Sequence, residues 1–169
     1  MSADARLRLA RASDAAGIAR VSRELIEAGL GWSYDAPRIV RLIEDLDTLS
    51  LVAEDPLGLA GFAILQCGDE RAHLVLLAVQ PRCQRQGLAR RMLGWLLESA
   101  GAAGIAELRL ELRATNAGAH AFYRALGFQD AGRVSGYYQQ REAALRMVRV
   151  LRRIDDVMPR WQAPTLRRS

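Results

Sequence analysis

Lysine is absent from this chain of 169 residues: all 24 of its basic residues are arginine. No lysine is available for a Schiff base or for self-acetylation, and every cationic site is a planar, permanently charged fork suited to bidentate pairing. A GC-rich genome accounts for that bias as readily as function does. Cysteine is nearly as scarce. Cys67 and Cys83 stand far apart, with no C-x-x-C and no histidine-rich neighbourhood, so the expectation is two reduced thiols and neither a disulfide frame nor a metal site. Long apolar runs are missing as well. None approaches the roughly 20 residues of a membrane span, and the opening "MSADAR" lacks the basic-then-apolar pattern of a secretion signal. A cytoplasmic protein with no membrane partner is expected.

What is present is an ordinary globular composition. With 50% hydrophobic and 25% charged residues the chain can bury a core, and its length suits one domain rather than two. We read residues 1–151 as a single domain and residues 152–169 as a basic C-terminal extension. A net charge of +5 and a pI near 10 raise nucleic acid as a partner. Outside the tail, however, the arginines are interleaved with acids, so nucleic acid is not an expected partner. A monomer or a homodimer is the expected state.

Periodicity divides the chain into alternating strands and helices. "RLRLAR" reads as a first strand. "ASDAAGIARVSRELIEAG" reads as one helix, capped by Ser13 or Asp14, with an apolar stripe through Ile18, Val21, Leu25 and Ile26 and a stop at Gly29. A second helix follows Asp35, with Pro37 in its first turn. The loop between them carries Trp32 and Tyr34, which are either lids on the core or walls of a substrate site. "LSLVAED" and "GLAGFAILQCG" form a hairpin, and "RAHLVLLAVQP" is a continuous apolar strand. A helix is expected from Gln84 to about Ala103. "AELRLELRATN" places Leu108, Leu110 and Leu112 on one face of a strand and Arg109, Glu111 and Arg113 on the other. "NAGAHAFYRALGF" is a helix opened by Asn116 and closed by Gly127. Two last strands follow, the first ending in Tyr137 and Tyr138, which either pack on the core or line a groove.

Two stretches carry chemistry. In "CQRQGLARR", residues 83–91, a helix begins directly after a buried strand. A helix start leaves N–H groups without partners and favours an anion. Gly87 and Ala89 keep the approach to the backbone clear, and Arg85 and Arg90 can bond phosphate oxygens. With no lysine and no hydroxyl for magnesium, this is not a nucleoside-triphosphate loop. In "ELRATNAGAHAFYRALGF", Glu111, Asn116 and Tyr123 bring a carboxylate, an amide and a phenol together one strand later.

Together the two stretches resemble the GNAT superfamily of N-acetyltransferases. Gln84, Gly87 and Ala89 match its [Q/R]-x-x-G-x-[G/A] signature, and "NAGAHAFYRALGF" matches its N-x-x-A-x-x-[FL]-Y-x-x-x-G-F helix, with His120 in place of the usual small residue. "AVQPRCQRQGLARRML", "LELRATN" and "GYYQQREAALRM" are most similar to the ribosomal-protein-alanine N-acetyltransferase branch. The resemblance implies a mixed α/β fold with a central, mostly antiparallel twisted sheet of about seven strands flanked by helices, and acetyl-CoA as co-substrate without a metal. It implies that backbone groups of Leu77, Ala78 and Val79 run beside the pantetheine arm. The turn of Arg85, Gln86, Gly87, Leu88, Ala89 and Arg90 would hold the pyrophosphate, Gln84 of the signature would also bind the cofactor, and Asn116 would bond the arm near the thioester. Glu111 would accept the amine proton, directly or through water, and Tyr123, also at the cofactor, would protonate the leaving thiolate.

The chain departs from the pattern at Cys83, where an aromatic is common, and at Ala89, where a second glycine is more frequent. The substrate motif of the branch is replaced by "LGWSYDAPRIVRLIEDLD". The acceptor is therefore open between a protein N-terminal α-amine and a small amine such as an amino acid, polyamine or antibiotic. An α-amine, with a reference pKa of about 7.7 to 8.0 against about 10.4 for lysine, is the easier group for one carboxylate to deprotonate. A groove of Trp32, Tyr34, Tyr137 and Tyr138 would decide between them. A third reading is a non-catalytic, CoA-binding basic module on RNA or ribosomes, marked by steeply salt-dependent binding.

Overall fold

A computed structural model describes residues 4–138 and 142–152. The strands are β1 (Arg6–Leu9), β2 (Thr48–Asp55), β3 (Gly58–Cys67), β4 (Arg71–Val79), β5 (Glu107–Arg113), β6 (Gln129–Tyr138) and β7 (Glu142–Val150). The helices are α1 (Ala15–Val21), α2 (Ala36–Glu44), α3 (Leu88–Ala102) and α4 (Ala117–Ala125). The strands make one seven-stranded sheet in the order β1-β2-β3-β4-β5-β7-β6. Every neighbouring pair is antiparallel except β4 and β5, which the α3 crossover sets parallel. This is the expected mixed, mostly antiparallel sheet. The extension from residue 153 onward, Trp161 included, lies outside the described residues.

Each sheet face carries its own core. Leu88, Met92, Leu93 and Leu96 of α3 pack with Tyr123 and Phe128 over Leu51, Leu65, Leu108, Leu110 and Met147. Ile18, Ala19 and Val21 of α1 and Ile39 of α2 pack over Val52, Phe62, Ile64 and Leu76 on the other face. Fully burying one such leucine or isoleucine is worth about 1.5–3 kcal/mol.

β4 belongs to both cores. Ala72 and Leu74 join the core under α3, whereas Leu76 and Ala78 join the core under α1 and α2. Residues of one parity cannot face opposite sides of a regular strand. The register slips where Ile64 pairs with Leu76 and Leu65 with Leu74, and the extra residue, Val75, turns the strand over. β4 then parts from β5. The two pair only through Arg71 with Glu107, Ala72 with Leu108 and His73 with Arg109, so the sheet is split from Leu74 onward.

Three expectations about helix limits are corrected. The first helix is not continuous over residues 12–29. A 3-10 turn (Ala12–Asp14) precedes α1, and a π-helical turn (Ser22–Ile26) follows it, closed by Glu27 N–H to Ser22 O at 2.9 Å. That widened turn shifts the apolar stripe, which leaves Leu25 exposed although Ile18 and Val21 are buried. Neither Ser13 nor Asp14 caps α1 with its side chain. The Asp14 carboxylate instead accepts the Arg11 N–H (2.7 Å) and both terminal nitrogens of Arg8 (2.8 and 2.9 Å). The third helix starts at Leu88 rather than Gln84, because Gly87 adopts φ +79° and Arg85 φ +62°, both outside the helical region. The other caps are as expected: Asp35 accepts Arg38 N–H at 3.0 Å, and Asn116 accepts Ala119 N–H at 3.0 Å.

Candidate active site

The split sheet gives β4 a free edge. Gln80 donates to Ala60 O on β3 at 2.8 Å. By alternation Ala78 also points its backbone at β3, while Leu77 and Val79 turn theirs to the open side. Gln84 Nε2 donates to the Val79 carbonyl at 2.9 Å, so this side chain braces the strand. The edge runs into the turn before α3. Here the left-handed Arg85 and Gly87 fold the chain into a concave loop, a backbone form that L-residues other than glycine adopt only under constraint. The first intrahelical bond is Arg91 N–H to Gly87 O (3.0 Å), so the N–H groups of Leu88, Ala89 and Arg90 have no acceptor within the helix.

These pieces line one cleft of about 630 Å³, formed by Leu77, Ala78, Val79, Gln84, Arg85, Gly87, Leu88, Ala89 and Arg90, with Ala119, Phe122 and Tyr123 of α4 opposite. Gln86 does not line it; its Nε2 donates to Arg82 O at 3.3 Å. Asn116 lies in the adjoining recess between the parted strands, with Leu77, Glu111, Ala119 and Tyr123. Tyr123 is held edge-on between Phe122 and Phe128, with ring centroids at 5.1 and 5.4 Å.

Glu111 and Tyr123 start from opposite faces of the sheet. Tyr123 packs in the core under α3, whereas Glu111 alternates with Leu110 and Leu112 and so faces α1 and α2. Only the split lets them border one space. On its own face Glu111 is gripped from two strands. His73 Nε2 lies 2.5 Å from its Oε2, and Arg146 Nε lies 3.5 Å from its Oε1. The His73 hydrogen bond is the larger influence, and with Arg146 it holds the Glu111 carboxyl below the ordinary carboxylate range against the opposing effect of burial.

Beyond Glu111 the space continues into a recess of about 340 Å³ bounded by Glu27, Tyr34, Arg38, His73, Val75 and Tyr137 among others. Burial raises the Tyr34 and Tyr137 phenols, and the Glu111 charge adds to both, so each remains a hydrogen-bond donor. The Glu27 carboxylate is already engaged, accepting Ser33 N–H (2.6 Å), Tyr34 N–H (3.3 Å) and Ser22 O–H (3.3 Å). Arg113 pins the end of the π turn to β5 through the carbonyls of Ile26 (3.0 Å) and Ala28 (2.6 Å).

Of the four expected aromatics, Tyr34 and Tyr137 reach this recess. Trp32 does not line it; its indole donates to Tyr34 O (3.2 Å) under the Arg23 guanidinium at 4.8 Å, half-exposed on the outside of the loop. Tyr138 ends β6, and its side chain lies outside the described residues. His73, Arg38 and Arg146 were not anticipated. The period-two pattern of β5 and β7 places Glu111 and Arg146 on one face once their pairing is known, but the Val75 bulge hides the facing of β4. Among the described residues no cluster of three or more His, Cys, Asp or Glu could hold a metal ion. Burial pushes both the Cys67 and Cys83 thiols up, so neither is a prepared nucleophile.

A sheet opened between two parallel strands, with a left-handed turn and the N–H groups of a helix start at the mouth of the gap, is an architecture that can take an extended ligand ending in an anionic group. The chain belongs to the acetyltransferase (GNAT) family, whose model matches residues 20–128. It is 45% identical over 80 residues to the [ribosomal protein bS18]-alanine N-acetyltransferase of Escherichia coli K12, a match covering 47% of this chain and 54% of that protein. The chain thus spans about half the length of the curated relatives it matches. The crystal structure of the ribosomal-protein-S18-alanine N-acetyltransferase from Escherichia coli superposes with a TM-score of 0.79 at 28% identity, over 92% of this chain and 99% of that one. The Arabidopsis thaliana NAA60 structure in complex with acetyl-CoA shares the fold, with a TM-score of 0.75 at 16% identity over 86% of this chain and 98% of that one.

Proposed function

We propose that this chain is an acetyl-CoA-dependent N-acetyltransferase whose acceptor is a protein N-terminal α-amine. The observation that carries this reading is the passage through the sheet. The cofactor cleft and the acceptor recess meet at the split, with Glu111 and Tyr123 on its walls. The turn over residues 85–90 offers N–H groups and arginines to a pyrophosphate. The Leu77 and Val79 edge can pair with an extended pantetheine arm as an added strand, and an N–H there can polarise the thioester carbonyl. An acetyl-CoA complex fits this donor set without a metal.

In the resulting mechanism Glu111 removes one proton from the acceptor ammonium, directly or through water, and the freed nitrogen lone pair attacks the thioester carbon. Collapse of the adduct breaks the C–S bond as Tyr123 gives its phenolic proton to the departing thiolate, and the second proton, lost by the adduct nitrogen as the amide forms, returns through water to the Tyr123 phenolate. No enzyme acyl intermediate is required. The relatives' names, which specify an alanine amine on a ribosomal protein, support the α-amine. So does Glu27: its carboxylate is consumed by the loop it organises, which leaves the recess without a spare acid for a polyamine. The domain limits, residues 1–151 with a basic extension, and a cytoplasmic monomer or homodimer remain part of the same proposal. The test is CoA release across a panel of N-terminal peptides and small amines. Turnover confined to peptides with a free α-amine is expected; turnover with polyamines or antibiotics and none with peptides would replace this acceptor by a small molecule.

A further inference from the structure

We infer that His73 is a positioning residue for the base, forming with Glu111 a two-residue unit that fixes the carboxylate toward the passage and keeps it available to accept the amine proton. The inference rests on the acetyltransferase reading above. Its ground is geometric. His73 is the last residue of β4 paired with β5, opposite Arg109, and Glu111 stands two residues further along β5 on the same face. At the point where the strands part, no other backbone pairing holds Glu111 to β4. The side chains close the gap instead, at 2.5 Å. A contact that short between an imidazole nitrogen and a carboxylate oxygen needs one proton between them, so Nε2–H donates to Oε2.

With Arg146 on Oε1, both oxygens are tied from the flanking strands β4 and β7, and the carboxylate plane is fixed toward the passage. The imidazole is also placed to answer to solvent. It borders the acceptor recess on one side and a second, open recess beside Cys67, Arg71 and Arg109 on the other. The charged and titratable groups bordering the recesses that Glu111 lines, or paired with it, are His73 and Arg71 from β4, Arg146 from β7, Arg109 and Arg113 from β5 itself, Cys67 from β3, Tyr137 from β6, Tyr123 from α4, Tyr34 and Arg38 from the loop and start of α2, and Glu27 just after the π turn. Of these, His73 exerts the largest influence keeping the carboxylate ionised.

The proton count of the step is unchanged by His73. The ammonium N–H breaks, its electron pair stays on nitrogen, and the proton goes to a Glu111 oxygen and from there to solvent water. His73 holds the carboxylate in the form and orientation that accepts it.

The experiment compares wild type with His73→Phe, His73→Gln and Glu111→Gln. His73→Phe is expected to lower kcat/KM about ten-fold at neutral pH, to move the acid limb of the pH profile upward, and to leave the KM for acetyl-CoA unchanged. His73→Gln, which keeps an N–H donor, is expected to restore most of the rate. The double variant His73→Phe/Glu111→Gln should be no slower than Glu111→Gln alone, because His73 acts through Glu111. A readout free of turnover is the ¹³C titration of the Glu111 carboxyl, whose midpoint should rise in His73→Phe. An unmoved midpoint together with a wild-type pH profile overturns the inference. A moved midpoint in a chain that acetylates nothing overturns the acetyltransferase reading and keeps the unit.

Discussion

On the side of the split where we propose the cofactor, the groups offered to a ligand are mostly main chain: the free edge at Leu77 and Val79, the left-handed turn through Arg85 and Gly87, and the N–H groups opening α3. On the side where we propose the acceptor, they are side chains drawn from five places: Tyr34 before α2, His73 on β4, Glu111 on β5, Tyr137 on β6 and Arg146 on β7. A backbone site needs little more than a backbone shape, so it tolerates variation in the residues along it. A side-chain site needs particular residues at positions far apart in sequence. The first therefore suits a ligand common to a whole family, and the second can change with the acceptor.

Substitution at the junction of the two sides should have the largest effect. Glu111→Gln is expected to lower kcat about 100-fold or more with little change in the KM for acetyl-CoA, and Tyr123→Phe about ten- to 100-fold. Steady-state CoA release with a peptide acceptor checks both. Full activity in both variants would remove these two residues from the proton transfers. The pH response has a definite sign. A carboxyl held below its ordinary range is ionised throughout neutral pH and is lost as a base only as pH falls through its lowered value. Activity should therefore rise in two stages, a lower one set by Glu111, which is the stage His73 moves, and an upper one toward the reference range of an α-amine, about 7.7 to 8.0, set by the acceptor.

Next in size is a change confined to the cofactor side. Gly87 has φ +79° and nothing within 4 Å of where a Cβ would stand, so a Cβ there meets no atom but strains the backbone by about 1–2 kcal/mol. Gly87→Val should raise the KM for acetyl-CoA about ten-fold and leave the ranking of acceptors as it was. A reordered acceptor preference would show that the two sides are not separable.

The same division explains what could be read from the sequence. The seven strands and the apolar face of α3 were legible because each depends on local pattern, period two or an apolar stripe, whereas the helix expected from Gln84 begins only at Leu88 and the stripe of the first helix fails at Leu25. Tyr34 and Tyr137 were legible as candidates from their setting in an aromatic-poor chain, but Trp32 drew the same expectation and points out of the recess. His73 was not legible at all. Its partner lies 38 residues away, and the bulge at Val75 that helps set its facing leaves no period of its own in "RAHLVLLAVQP". The π turn was missed for a related reason. It is held by a buried Ser22–Glu27 contact and by Arg113 on the Ile26 and Ala28 carbonyls, contacts that no helical periodicity encodes.

Arg113 offers a smaller and more selective test of the acceptor side. Its guanidinium joins β5 to the carbonyls of Ile26 and Ala28, so Arg113→Ala frees the end of the segment that carries Leu30 and Tyr34 into the recess. The expected outcome is a several-fold rise in the KM for the peptide acceptor, with acetyl-CoA binding by calorimetry unchanged. A loss on the cofactor side instead would mean that Arg113 supports the whole gap.

The smallest effect belongs to a brace behind the cofactor turn. Arg82, in the 3-10 turn Pro81–Cys83, is paired with Asp55 at the end of β2. The guanidinium hydrogen bond holds the Asp55 carboxyl down at about 2, below its ordinary 3.8. A depressed carboxyl adds stability that is complete above its unfolded value and fades as pH falls through the folded one. The contribution of this pair should therefore be constant above pH about 5 and disappear between pH about 4 and 2. Asp55→Asn should lower the Tm by at most about 3 °C at neutral pH, because the Arg82 partner is open to solvent and the amide keeps the Asp55 volume. Its Tm should then converge on that of wild type at pH about 2. Because the pair braces the turn from outside the cleft, the KM for acetyl-CoA should move less than two-fold. A larger shift would mean that the left-handed backbone at Arg85 and Gly87 depends on this brace, and that even the backbone-built side owes its shape to a particular pair of side chains.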